Sequence, residues 1–234
     1  MKNKRELFCS IILIFCIGIL YYSLFYLHGK EYYYVSLAIM IAGLLMFLLH
    51  FENRAPSVAE LTTVSVLCAV AVIARISFAF LPQITPIAAV GIIAGISLGA
   101  ETGFIVGALA AFMSNFYFMQ GSWTPLQMFA LGVVGFFAGV LFLWLPVNRY
   151  SVSCYSLLAV MVLYGVIVDL NTLFFYAGDN TKSAIVAVYG QALPFNLIFS
   201  VSTTIFVLIL YRPVLKKLQR IKVKYSLIDK AEEE

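Results

Sequence analysis

The chain has 234 residues, 63% of them hydrophobic and 11% charged, with a net charge of +4 and a mean hydropathy of +0.99. Soluble domains carry about 25% charged residues, so this composition excludes an ordinary soluble protein and points to an all-α membrane protein, each helix needing about 20 apolar residues to span a bilayer. The positive charge gathers at the chain ends, which argues against a nucleic-acid-binding face.

In chain order, the basic N-terminus MKNKRELFCS leads into an apolar run without a small-residue cleavage pattern, which reads as a retained helix rather than a signal peptide. Eight spans follow from the apolar runs, at roughly 7–27, 33–50, 60–81, 84–98, 103–119, 125–145, 153–175 and 187–211. The charged, proline-containing segment FENRAPSVAE (51–60) separates an N-terminal hairpin and linker (1–58) from a core of six helices (59–212), and a basic then acidic tail occupies 213–234. Lys2, Lys4, Arg5, Arg54, Arg149 and the cations from Arg212 to Lys224 fall on one side, against Lys30 and Lys182 on the other. Lys/Arg bias therefore puts both termini in the cytoplasm, in a multi-pass protein of the cell membrane. The four cysteines lie in apolar runs with no C-x-x-C pair and read as small hydrophobes.

Small residues recur every four positions: Gly91, Gly95 and Gly99; Gly103, Gly107 and Ala111; Gly135 and Gly139; and Ser65 with Ala69. This spacing puts each set on one helix face, where backbones approach closely in lipid. Packing within the subunit accounts for most of them, and docking onto another membrane protein is the other use of such a face.

Polar groups concentrate toward the outer side. Arg75 and Asp169 each lie about six residues, or about 9 Å, inside the outer end of a span. Asn115 and Asn171 end helices there, and Gln127, Gln191 and Asn196 begin helices that descend from it. Between two apolar helices, the stretch 115–127 adds Tyr117, Gln120, Gly121, Trp123, Thr124 and Pro125, with Pro125 suited to a first helical turn. The pattern describes a polar cup open to the outside over an apolar floor, because ionisable groups within membrane spans default to functional roles. A second reading stands beside it: Arg75 and Asp169 as a buried ion pair, Asn115 and Asn196 as interhelical hydrogen bonds, Trp123 as an interfacial anchor. Glu101, in the turn 99–102, reads as solvated or as a helix N-terminal charge.

The chain has no G-x-x-x-x-G-K-[ST] or H-E-x-x-H motif, and its two histidines, His28 and His50, fall on opposite faces. The residues argue against an enzyme and against an ATPase site within this chain. A polar midplane with inverted repeats, expected of a stand-alone secondary transporter, is not visible either.

Residues 60–212, and above all ARISFAFLPQITPIAAVGIIAGISLGAETGFIVGALAAFMSNFYFMQGSWTPLQMFALGVVGFFAG (74–139), resemble the substrate-binding (S) subunit of an energy-coupling factor (ECF) transporter. The SNF–QG–WTP–QM run is similar to that of members assigned to cobalamin or its precursors. The resemblance implies a six-helix core, here preceded by the two-helix hairpin, with a ligand site closed by loops 82–86, 116–125 and 176–186. Together with the polar pattern, it points to substrate-binding roles for Arg75, Gln83, Asn115, Tyr117, Gln120, Trp123, Gln127, Asp169, Asn171 and Asn196. It implies docking through the small residues Ser65 and Ala69 of SVLCAVAVIA (65–74), although Ile73 departs from the A-x-x-x-A pattern. It also implies partners, namely a transmembrane coupling subunit and two ATPase subunits that use the ATP, with no metal and no covalently bound cofactor on this chain. The ligand implied is cobalamin or a smaller precursor such as dimethylbenzimidazole, with another vitamin or micronutrient as the alternative.

Overall fold

The computed structural model describes residues 10–19, 57–176 and 181–224, together with positions 22, 34, 38, 41 and 43–45. The helix Ser10–Ile19 is apolar, and the described positions between 34 and 45 are helical. The rest of the expected hairpin and the end of the acidic tail lie outside the described residues, so the count of eight spans does too. The core runs α1 (Val58–Ser77), α2 (Ile87–Leu98), α3 (Ala100–Phe118), α4 (Thr124–Leu141), α5 (Arg149–Leu158), a π-helical turn (Ala159–Tyr164), α6 (Gly165–Tyr176) and α7 (Thr181–Lys224). With α5, the π turn and α6 stacked as one rod, this makes six helical rods. Four described helices are long and apolar enough to cross a membrane: Val58–Ser77, Thr124–Leu141, Arg149–Leu173 and Lys182–Lys224.

Local chemistry sets the helix ends. Ser57 caps α1, its hydroxyl accepting from the Glu60 amide at 3.2 Å, and Asn148 caps α5, accepting from the amides of Tyr150 and Ser151. Pro125 occupies the first turn of α4, where its missing N–H costs nothing. Gly99 alone joins α2 to α3. Its φ of 107° is open chiefly to glycine, and this single residue turns the chain back on itself. Glu101 lies in the first turn of α3 and is only 6% exposed, so the helix N-terminal reading holds and the solvated one does not.

The small-residue faces meet one another. A Cβ on Gly103 would stand 2.4 Å from the Gly135 carbonyl oxygen and 2.6 Å from Gly95 Cα; one on Gly107 would stand 2.3 Å from the Leu131 carbonyl oxygen; one on Gly139 would stand 2.4 Å from Ala100 Cα. Helices α2, α3 and α4 thus pack backbone against backbone, which in lipid substitutes van der Waals contact for the hydrophobic driving force. Phe104, Phe129 and Phe136 fill the space beside this seam and are fully buried. Ser65 and Ala69 lie on the other kind of surface: both are exposed on α1 beside Val66, Val70 and Ile73.

Helix α7 departs from the sequence expectation. The reading from apolar residues spans 187–211, whereas the helix runs 44 residues through Pro194 and Pro213 into the basic tail. At about 1.5 Å per residue this is about 66 Å, far more than a bilayer core, so α7 projects beyond its neighbours. The expected boundary at 212/213 falls inside it.

Candidate functional site

One end of the bundle, where α1, α3 and α6 finish and α4 begins, collects the polar side chains. Arg75, in the last turn of α1, donates from Nη1 to Ser114 Oγ and, at 3.0 Å, to Asn115 Oδ1. Its guanidinium lies 4.5 Å from the centre of the Phe118 ring, a favourable cation–π distance. Asn115 is 1% exposed and uses both ends of its amide, for Nδ2 donates to Gln127 Oε1 at 2.8 Å and to Thr124 Oγ1 at 3.3 Å. Thr124 Oγ1 also accepts from the Gly121 amide at 3.1 Å. One asparagine therefore ties α1 and α3 to the start of α4 and fixes the loop between α3 and α4.

That loop closes on itself. Met119 takes φ 76°. Gln120 folds back, its Nε2 donating to the Phe112 carbonyl at 2.9 Å. The Trp123 ring covers Gly121, where a Cβ would come within 2.3 Å of the indole, so only glycine leaves room for this placement. Trp123 stays 42% exposed and Tyr117 61% exposed, with the Tyr117 and Phe118 rings edge to face at 5.0 Å.

The opposite wall comes from α6 and α7. Asn196 Nδ2 donates to Asp169 Oδ2 at 2.7 Å, and the Asn196 amide fits against Gly165, where a Cβ would stand 2.7 Å from Nδ2. Tyr164, the last residue of the π turn, is buried with its ring 4.7 Å from Phe199, and its hydroxyl faces Gln127 within electrostatic range of both Arg75 and Asp169. Arg75 and Asp169 do not pair directly: each is held by an asparagine instead. The cluster therefore holds a cation and a carboxylate with Tyr164 within electrostatic range of both, and Arg75 Nη2 and Nε and Asp169 Oδ1 lack partners among the described residues. Such a pair can satisfy a ligand that offers acceptors on one edge and donors on another.

The structure thus brings Arg75, Asn115, Gln127, Asp169 and Asn196 together. Trp123 and Tyr117 rim the same end. Gln120 serves its own helix, and Gln83 sits at an exposed turn with φ 62°. Asn171 is half-buried, its Oδ1 without a hydrogen-bond partner among the described residues. Gln191 is exposed on α7. Sequence reasoning missed Ser114 and Tyr164. The only signal for Tyr164 was a hydroxyl inside an apolar run five residues before Asp169.

A family model described as "ECF transporter, substrate-specific component" matches residues 59–214, about two thirds of the chain. The chain belongs to this family. It is a transport subunit embedded in a membrane, one that associates with ECF transmembrane and ATPase subunits. Neither curated proteins nor solved structures gave a match. In this substrate-specific component, all of the polar cluster described above lies within the matched residues.

Proposed function

We propose that this substrate-specific component captures cobalamin or a smaller precursor of it at the polar cluster, from outside the cell, for an ATP-driven ECF transporter. The observation that carries the reading is the convergence of Arg75, Asn115, Gln127, Tyr164, Asp169 and Asn196 from every rod of the core except α2. Buried polar and ionisable groups are costly in a membrane and mark substrate sites there. In this reading Arg75 and Asp169 hold polar edges of the ligand, Gln127 and Tyr164 line the space between, and Trp123 and Tyr117 cover it. Asn115 and Asn196 position the first pair and make no ligand contact of their own. Gln83, Gln120 and Asn171 contribute at the rim.

The termini are cytoplasmic in this account, and the exposed Ser65–Ala69 face of α1 docks onto the coupling subunit. ATP is consumed by the partner subunits. The connections favour a compact ligand, because α3 and α4 are joined by only residues 119–123 and Asn115 closes the floor of that corner. Dimethylbenzimidazole, planar and with one donor and one acceptor nitrogen, fits such a space better than an entire corrinoid.

Calorimetric titration of the purified chain with cobalamin, dimethylbenzimidazole, riboflavin and biotin tests this. Binding of cobalamin or dimethylbenzimidazole without ATP or partner subunits is expected. Binding confined to riboflavin or biotin would overturn the corrinoid assignment.

A further inference from the structure

At the opposite end of the bundle, an open groove of about 490 Å³ separates the α4–α5 connection from the far part of α7. Its polar lining is Asn148, Arg149, Tyr211, Arg212, Lys216 and Gln219, three cations with no carboxylate among the described residues. The groove is built rather than incidental. The Tyr211 hydroxyl donates to the Val147 carbonyl at 2.9 Å, holding the connection against α7, and the Asn148 side chain is committed to capping α5. This keeps Arg149 at the first position of its helix, opposite Arg212 and Lys216.

The face of α7 that enters this groove changes character along its length. Ile205, Ile209, Arg212 and Lys216 follow at spacings of four, three and four residues, so they share one helix face. Ile205 is 51% exposed and Ile209 61% exposed, an uncovered apolar strip leading directly to the two cations. Trp144, 72% exposed, lies in the same α4–α5 connection, and exposed tryptophans of this kind mark a membrane–water boundary. An apolar strip ending in a cationic, hydrogen-bonding groove at a boundary matches an acyl chain ending in a phosphate.

We propose that this groove binds the headgroup of an anionic phospholipid, with Arg149, Arg212 and Lys216 around the phosphate and one acyl chain along Ile209 and Ile205. Basic clefts between helices at a membrane face recognise anionic headgroups in this way. One lipid accounts for both features at once, its phosphate for the three cations and its acyl chain for the apolar strip above them. The site is independent of which ligand the component captures.

The test is native mass spectrometry of the full chain in mild detergent, titrated with phosphatidylglycerol or with phosphatidylcholine of the same acyl chains. One phosphatidylglycerol is expected to be retained saturably, at least about tenfold more tightly than phosphatidylcholine. The pair Arg212→Gln and Lys216→Gln should weaken it by about 30-fold. The pair Lys217→Gln and Arg220→Gln removes the same charge from α7 outside the groove and should leave it unchanged; thermal melting of both pairs establishes that they fold. Equal losses in the two pairs would mean diffuse attraction and overturn the site, as would equal retention of phosphatidylcholine. Displacement of the lipid by inorganic phosphate at the lipid's own concentration would assign the groove to free phosphate instead. Failure to retain phosphatidylglycerol at all would leave the groove to an acidic protein surface and refute the lipid assignment.

Discussion

Gly135→Ala is expected to prevent assembly of the core. The added Cβ would sit 2.2 Å from the Gly103 carbonyl oxygen and 2.6 Å from its carbon. Both atoms belong to the backbone of the facing helix, so no rotamer change relieves the overlap. Overpacking a soluble core costs about 1–3 kcal/mol when side chains can shift, and here the whole of α3 must move away from α4. The same displacement would break the contacts of Gly103 with Gly95 and so loosen α2. Because lipid offers no hydrophobic force to press the helices back together, the loss should exceed the usual overpacking range and reach about 5 kcal/mol, the low end of total stability, so that most of the folded protein is lost. Size-exclusion chromatography with thermal melting would show an aggregated or absent peak. Gly190→Ala is the control, because a Cβ there meets nothing within 4 Å and alanine favours helix by up to about 1 kcal/mol. A Gly135→Ala chain that melts like the unaltered one would contradict the seam.

Asn115→Ala is expected to uncouple stability from capture. It removes the acceptor for Arg75 and the donor for Gln127 and Thr124 together. Unsatisfied polar groups cost about 1–3 kcal/mol each where water is excluded, but individual hydrogen bonds in membranes average nearer 0.6 kcal/mol because partners rearrange. The fold should therefore survive, with a loss of about 1–3 kcal/mol. Ligand affinity should fall by about 100-fold, or about 2.8 kcal/mol, because Arg75 and Gln127 lose their aim and the α3–α4 loop loses its anchor. Asn115→Asp keeps the acceptor for Arg75 and loses the donor, so it should fall between the two. Gln120→Ala, which removes the exposed link to the Phe112 carbonyl and a contact at the rim alone, should leave stability unchanged and lower affinity far less than Asn115→Ala. Melting curves and calorimetric titration on the same preparations read both effects, and a ligand affinity that survives Asn115→Ala intact would remove the network from the site.

How far the sequence reveals this arrangement depends on the kind of regularity involved. Four-residue spacing of glycines is a helical period, so the seam among α2, α3 and α4 is readable as packing faces. Its pairing of Gly95 with Gly103 and Gly135 follows from the one-residue turn at Gly99, which spacing alone does not reveal. The gathering of Arg75, Asn115, Gln127 and Asp169 at one end is likewise readable, because depth follows from counting residues along apolar spans. What each polar group bonds is not. Gln120 and Gln127 look equivalent in sequence, yet one turns back to its own helix and the other faces the cluster. Arg75 and Asp169 invite an ion pair, yet asparagines hold both. Tyr164 is hidden for a further reason: the π turn over Ala159–Tyr164 shifts the helical register, so a face computed at 3.6 residues per turn does not carry through it, and such turns often mark functional positions. The length of α7 is masked at its far end by Pro213, which with the cations from Arg212 onward reads as a helix end.

The most direct test of the capture site uses the two tryptophans at opposite ends of the bundle, Trp123 beside the polar cluster and Trp144 beside the basic groove. Whichever compound binds in calorimetry is titrated into the Trp144→Phe chain and, separately, into the Trp123→Phe chain, while fluorescence is recorded. A saturable change in Trp123 emission, lost when Arg75 is also replaced by alanine and weak or absent in the chain retaining only Trp144, is the result expected. A saturable change confined to Trp144, with Trp123 silent, would put the ligand at the other end and contradict the account.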